Sequence, residues 1–362
     1  MLNEITIKGY KSICNLEKFS LQNLNILIGP NGAGKSNFIS VFKFLNNLYN
    51  KKLQNSTKVK GPDNFLYFGR KTTEILHFNF VFTPNEYEVN IVPTQENILL
   101  IQEEKISFKG FKHKDGERYC EVIGENIYES NISDAKEYAK SRAVADYAIS
   151  EIKKWKLYHF HDTGDTAKMK GMCYANDNLI LKEDAQNIAA YLKKLYCDYP
   201  SHYDQILKTI QDVAPFFGGF IFREEEDIQL EWYDKNDPDT PFKAHMLSDG
   251  TLRFICLATL LLQPFELMPG TIIIDEPELG LHPYALKVLS EIIKRATEKK
   301  QLIISSQSVE LLNHFEAKDI IVVDKKDSQS TFTRLDDEKL KIWLEDYALG
   351  EIWASNLIGG RP

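Results

Sequence analysis

The sequence predicts an α/β fold, a phosphate-loop sheet carrying an inserted helical lobe, and three observations predict it. An apolar, β-prone run at Leu24–Ile28 leads into the Gly-rich turn Gly29-Pro30-Asn31-Gly32-Ala33-Gly34-Lys35-Ser36, and a helical pattern with apolar Phe38, Val41, Phe42, Leu45 and Leu48 follows. A second apolar β run, residues 271–274, ends in the acidic pair Asp275-Glu276. Between the two, apolar side chains from Ser133 to Ile152 and in segments 184–196 and 203–213 are spaced as in helices.

The turn has the chemistry of an anion site. Its glycines let backbone N–H groups converge on a phosphate, the helix start adds partial positive charge, Lys35 reaches the β- and γ-phosphates, and Ser36 ligates Mg²⁺. A turn that only joined strand to helix would leave Lys and Ser after the last glycine unexplained. At the second strand end, Asp275 suits the Mg²⁺ shell and Glu276 suits orienting and polarising an attacking water.

The 362 residues support one large or two modest domains with a full core. The five cysteines are scattered, form no CxxC pair and are odd in number, so neither a disulfide framework nor a zinc cluster is expected and a reducing cytoplasm fits best. No run approaches a membrane span, and the N-terminus lacks the apolar centre of a signal peptide. The net charge of −8 argues against a globally basic nucleic-acid binder but leaves room for a local basic strip.

Taken in order, residues 1–21 read as two short strands around a turn, with Ile5, Ile7 and Ile13 apolar and Lys11 and Ser12 at the turn, either as surface residues or as nucleotide contacts. After the loop helix comes a polar loop, residues 50–64, then β runs at 75–82, 87–91 and 98–101 that suggest an antiparallel meander. Helices are expected from Ser133, at 184–196 and at 203–213, with Pro200 between the last two; no heptad run is sustained, which excludes a long coiled-coil arm. Within this region lies Tyr158-His159-Phe160-His161-Asp162-Thr163-Gly164-Asp165. Two histidines and two carboxylates invite a metal reading, but metal sites draw ligands from elsewhere in the chain and no second cluster is evident, so structural or hydrogen-bonding roles are preferred. Residues 228–233 make another strand and 234–241 a turn-rich connector. Ser248 is the expected N-cap of an apolar helix, 252–262, stopped by Pro264. Beyond the acidic pair come a helix at 284–297, a strand at Gln301–Ser305 leading to Ser306-Gln307-Ser308, a helix from Val309, a strand pair at 319–323 and 331–335, and a tail helix at 337–347. Trp343 and Trp353 are expected to anchor the tail by burial.

The ordered motifs, the phosphate loop, LSDGT at 247–251, IIIDEPELGLHP at 272–283 and SSQS at 305–308, resemble the ATP-binding-cassette ATPases of the SMC, RecF and OLD group, and within it the small AAA-15/AAA-21-type ATPases. The likeness extends from the N-terminal GYKS through YHFHDT to the closing GEIW and GGRP. It implies an ABC-ATPase head, with residues 1–105 as the Walker A half, 106–240 as an inserted mostly helical lobe, 241–335 as the half with signature, Walker B and switch, and 336–362 as helix and tail. It implies ATP and Mg²⁺ as ligands. Asn31, Gly32, Ala33, Gly34, Lys35, Ser36 and Asn37 match the Walker A region, and Asp275 and Glu276 match Walker B and its catalytic carboxylate. Ser248 and Gly250 match the signature that touches the γ-phosphate of an opposite subunit, Lys11 and Ser12 the segment near base and α-phosphate, and Gln307 the switch position, commonly histidine. Three departures stand out: Gln307 cannot become cationic, Asp249 replaces a common glycine, and His282 replaces a common D-loop aspartate. The Q-loop glutamine has no evident counterpart, although 67–71 lies where it is expected.

The resemblance implies an ATP-dependent homodimer, opened by hydrolysis, that regulates a separately encoded effector or nuclease in anti-phage defence or genome maintenance. The alternative is a RecF-like DNA-binding ATPase in repair, using a basic strip from Lys136, Lys140, Arg142, Lys153, Lys154 and Lys156. A transporter motor is the weakest reading, because LSGGQ is absent, and no membrane association is expected.

Overall fold

The structure, a computed structural model, describes residues 1–108 and 119–360. The chain forms two compact units: Met1–Trp155 with Ala317–Ile342 and Ile352–Pro362, and Lys156–Glu316 with Trp343–Glu351.

The first unit begins with β1 (Glu4–Tyr10) and β2 (Ile13–Ser20), joined at Lys11 and Ser12, where Lys11 takes a left-handed φ of 49°. Strand β3 (Leu24–Ile28) is buried along its whole length, as an inner strand of a parallel pair must be. Helix α1 (Lys35–Tyr49) buries Phe38, Val41, Phe42, Leu45 and Leu48, the stripe that the spacing predicts. After α2 (Leu53–Lys58) come β4 (Leu76–Phe82), β5 (Asn85–Pro93), β6 (Leu99–Phe108) and β7 (Tyr119–Ile127), then α3 (Ala135–Tyr138) and α4 (Arg142–Lys153). The first sheet runs β2-β1-β4-β5-β6-β7, and its strands pair antiparallel throughout. Alternate residues of β4 are buried, so one face of the meander supplies core. There the rings of Phe42, Phe80 and Phe82 surround Trp155 at 5.3, 5.5 and 5.6 Å between centroids.

The second unit holds β8 (Trp155–Tyr158) from its second residue onward, β9 (Cys173–Tyr174), α5 (Ile188–Asp198), α6 (Pro200–Val213), β10 (Phe217–Ile221), β11 (Asp227–Ile228), β12 (Glu231–Asp234), β13 (Asp237–Lys243), α7 (Asp249–Leu262), β14 (Thr271–Asp275), α8 (Pro283–Thr297), β15 (Gln301–Ser305) and α9 (Val309–Leu312). Strands β14 and β15 are parallel, with Asp275 opposite Ser305, and β8 borders β14 on its other side. Helix α7 is apolar nearly all round and is buried from Leu252 to Leu262. The chain then rejoins the first unit through β16 (Ile320–Lys326), parallel to β3, and β17 (Gln329–Arg334), antiparallel to β16. Two helices follow, α10 (Asp337–Leu344) and α11 (Leu349–Ala354).

Several expectations need correction. The polar loop at 50–64 contains α2, whose first two amides, Leu53 N and Gln54 N, donate to the Glu129 carboxylate at 2.8 and 3.0 Å. That cap comes from far along the chain, so no local signal announced it. The meander has a fourth strand, β7, an edge strand with few buried residues and hence weak alternation. The connector at 234–241 is mostly β13, an exposed edge whose Pro238 and Pro241 fit an edge position. Pro200 opens α6 rather than standing between helices. Trp353 is fully buried and its indole donates to Gly360 O, but Trp343 is 44% exposed and anchors nothing by burial. In the closing GGRP, Arg361 and Pro362 lie outside the described residues.

Candidate functional site

The phosphate loop belongs to the first unit. Gly34 precedes α1 with φ 123°, and a Cβ there would lie 2.1 Å from Ser330 Oγ, so neither conformation nor space admits a larger residue. Helix α1 has no side-chain cap and no acidic residue in its first turn, which leaves its leading N–H groups and dipole for an anion. Asn31, Gly32 and Ser36 are exposed, whereas Ala33, Gly34 and Lys35 are buried. The Lys35 ammonium folds back to donate to Gly29 O, and to Pro30 O at 3.3 Å.

The GYKS turn reaches the start of the same helix. Asn37 donates to Ser12 Oγ at 2.7 Å, Ser330 Oγ lies 2.7 Å from Ser12 Oγ, and the Ser330 hydroxyl donates to Ala33 O. Lys11 donates to Ser40 Oγ at 2.8 Å. Burial, followed by repulsion from Lys60 and Lys43, lowers the Lys11 pKa below its usual value. A cavity of about 290 Å³ opens here, lined by Lys11, Ser12, Asn37, Tyr67, Phe68 and Lys325 among others. Ser12 and Asn37 are therefore together, and Ser330, which no motif marks, backs them. Arg70, in the segment where a Q-loop was expected, is committed to Asp63 at 3.0 Å and to Thr94 O at 3.1 Å.

The acidic pair belongs to the second unit. Ser305 Oγ donates to Asp275 Oδ1, and Glu276, at a left-handed φ of 43°, receives the Gln307 side-chain amide on Oε1. A non-glycine residue at such a φ costs about 1–3 kcal/mol and persists only where the surroundings hold it. Here Glu276 N donates to Ser305 O at 2.9 Å. Asp275, Glu276 and Gln307 thus meet at the ends of two parallel strands. Glu278, which sequence reasoning passed over, is buried and accepts from Ser306 Oγ at 2.8 Å and Gln307 N at 2.6 Å. Burial pushes its pKa up. Its spacing in DEPE was the available signal.

Ser248 caps α7 by accepting from Thr251 N at 3.2 Å, and it is exposed. Asp249 also faces solvent, with Lys170 Nζ 3.9 Å away. A Cβ on Gly250 would lie 2.3 Å from Gly280 O, so the signature turn packs directly on the backbone that follows the acidic pair. His282 caps α8, its Nδ1 accepting from Tyr284 N at 3.4 Å. Two further residues tie this region together. Arg253 donates to Phe160 O at 2.9 Å, to His161 O at 3.2 Å and to Leu279 O, and His161 Nε2 pairs with Asp275 O at 2.7 Å.

A family model described as "AAA domain, putative AbiEii toxin, Type IV TA system" matches residues 24–313. Among solved structures, the chain is similar to an SmcHead bound to the C-winged helix domain of ScpA, with TM-score 0.56 and 15% identity, covering 94% of this chain and 99% of that one. It is also similar to the Smc head domain with an extended coiled coil bound to the C-terminal domain of ScpA, derived from Pyrococcus furiosus, with TM-score 0.53 and 14% identity, covering 95% and 98%. At these identities the likeness is one of fold, that of an SMC head domain. No curated protein matches the chain. Among the described residues, no helix is long and apolar enough to cross a membrane.

Proposed function

This chain belongs to the AAA-domain family whose model it matches over residues 24–313, and from that premise we propose that it binds and hydrolyses Mg-ATP and uses nucleotide occupancy to hold two copies of itself together. Lys35 leaves its loop carbonyls for the β- and γ-phosphates, and the amides of 31–34 with the start of α1 cradle them. Lys11, Ser12 and Asn37 contact the base side of the nucleotide. Ser36 and Asp275 are the residues that would hold Mg²⁺, which would supply charge neutralisation for the phosphates. Glu276 polarises the attacking water, and Gln307 positions that carboxylate. Ser248 and Gly250 meet the γ-phosphate bound by the second copy, in keeping with the exposure of Ser248.

What supports hydrolysis over binding alone is the pairing of Glu276 with Gln307, a carboxylate kept in a costly backbone conformation and gripped by a neutral donor. Gln307 cannot become cationic, so it orients Glu276 without neutralising it. The test is Glu276→Gln. It should retain ATP, lose turnover by about 10²–10⁴-fold, and run as a dimer in light scattering with Mg-ATP. A variant that stays monomeric at saturating Mg-ATP sinks the dimer switch.

The dimer's downstream partner, in this reading, is a separately encoded effector or nuclease in anti-phage defence or genome maintenance, in line with the toxin–antitoxin wording of the family description. The DNA-binding alternative draws less support. Of its basic strip, Lys154 is paired with Glu151 at 2.7 Å and Lys153 lies over the Tyr49 ring at 5.5 Å.

A further inference from the structure

The sequence placed two histidines side by side and lacked the distant ligand that a metal site needs. The fold supplies it. Strand β8 delivers His159 and His161 beside the end of β14, and one ligand atom from each of His159, His161 and Asp275 lies within 4.8 Å of the others. We propose that His159, His161 and Asp275 form a binding site for a first-row transition-metal dication of the Zn²⁺ class.

The donor set argues for that class. Two imidazoles and one carboxylate suit zinc and its neighbours, whereas Mg²⁺ prefers oxygen ligands and keeps its waters. The local hydrogen bonds orient the donors. His161 Nε2 donates to Asp275 O at 2.7 Å, a backbone contact that orients the imidazole beside that residue. Ser305 occupies Asp275 Oδ1 and so orients the carboxylate. Access is open. His159 is exposed, and a cavity of about 420 Å³ is lined by His159, His161, Asp162, Lys168 and Asp184. It leaves room for a hydrated ion with open coordination positions. Lys168, among the lining residues just named, is matched by Asp184 at 2.9 Å.

Asp275 also belongs to the Mg²⁺ shell assigned above, so the consequence for hydrolysis, competition between the two metals for that carboxylate, rests on that reading; binding itself does not. The nucleotide-free chain is titrated with Zn²⁺ against a chromophoric chelator. Wild type should take up one tight equivalent, and His159→Ala and His161→Ala should each weaken it by at least about tenfold with unchanged circular dichroism. His159 is exposed, so its replacement leaves packing intact. Zinc held instead by the exposed thiols Cys120 and Cys197 would be indifferent to both histidine variants, and that indifference, or the absence of a tight equivalent in wild type, overturns the proposal. Lys35→Ala should bind Zn²⁺ as wild type does. A failure of Glu276→Gln to dimerise would thus strike the nucleotide reading alone.

Discussion

Arg253 offers the sharpest quantitative test of how the second unit is held together. Its side chain is buried, and one guanidinium serves three backbone carbonyls from two separate segments: Phe160 O, His161 O and Leu279 O. Arg253→Met keeps most of the stem volume and deletes every donor. Each charge-assisted bond is worth about 1.5–3 kcal/mol in isolation, but three bonds to one group do not add. Burial also opposes the cation, lowering the Arg253 pKa, so removing the charge returns part of the loss. The net expectation is a destabilisation of about 2–4 kcal/mol, read in urea as a midpoint lowered by roughly 1 M at unchanged slope. Arg253→Lys keeps the charge but presents a point donor rather than a fork, and should recover less than half of the deficit. A Met variant within about 0.5 kcal/mol of wild type would refute the reasoning, because the three carbonyls would then have found other partners at no cost.

Three further outcomes follow from the packing. Burial raises the pKa of Glu104 against the donors Tyr87, Ser130 and Asn131. The folded state therefore keeps a proton that the unfolded chain has released, and stability falls as pH rises from the usual carboxylate range through the raised value. Glu104→Gln should flatten that decline in thermal melts between about pH 4 and 8, and superimposable profiles would count against it. Gly250→Ala drives a Cβ to 2.3 Å from Gly280 O, a backbone atom that cannot rotate away, and should cost about 1–3 kcal/mol, or about 2–4 °C in Tm per kcal/mol; an unshifted Tm would contradict the close approach. Trp353→Ala empties a fully buried site and should cost about 3–5 kcal/mol, with Trp353→Phe well below that, in urea unfolding. Equal losses would mean that its hydrogen bond to Gly360, not its volume, matters.

Much of this was legible because periodicity and local chemistry agreed. The run at Leu24–Ile28, the stripe on α1, the Ser248 cap and the acidic strand end each carry their signal within a few neighbouring residues, and the structure has an element at each. What escaped was non-local or lay at an edge. Ser330 hardly differs from any strand serine until β17 sets it against Ala33 and Ser12. β7 and β13 bury too little to alternate. The metal-ligand set needed Asp275 to meet two histidines brought by another strand, and no spacing rule spans such a gap. Trp343 was misjudged because ring size argues for burial only where a core exists to receive it.

The pairing of Ser330 with Ala33 joins residues 297 apart in the chain. The ribosome works at about 5–20 residues per second, so a nascent chain exposes its glycine turn some 15–60 s before β16 and β17 arrive to brace it. During that interval β3 lacks its parallel neighbour and the turn its hydroxyl support. The glycine turn therefore gains its hydroxyl brace only after residues 320–334 have been made.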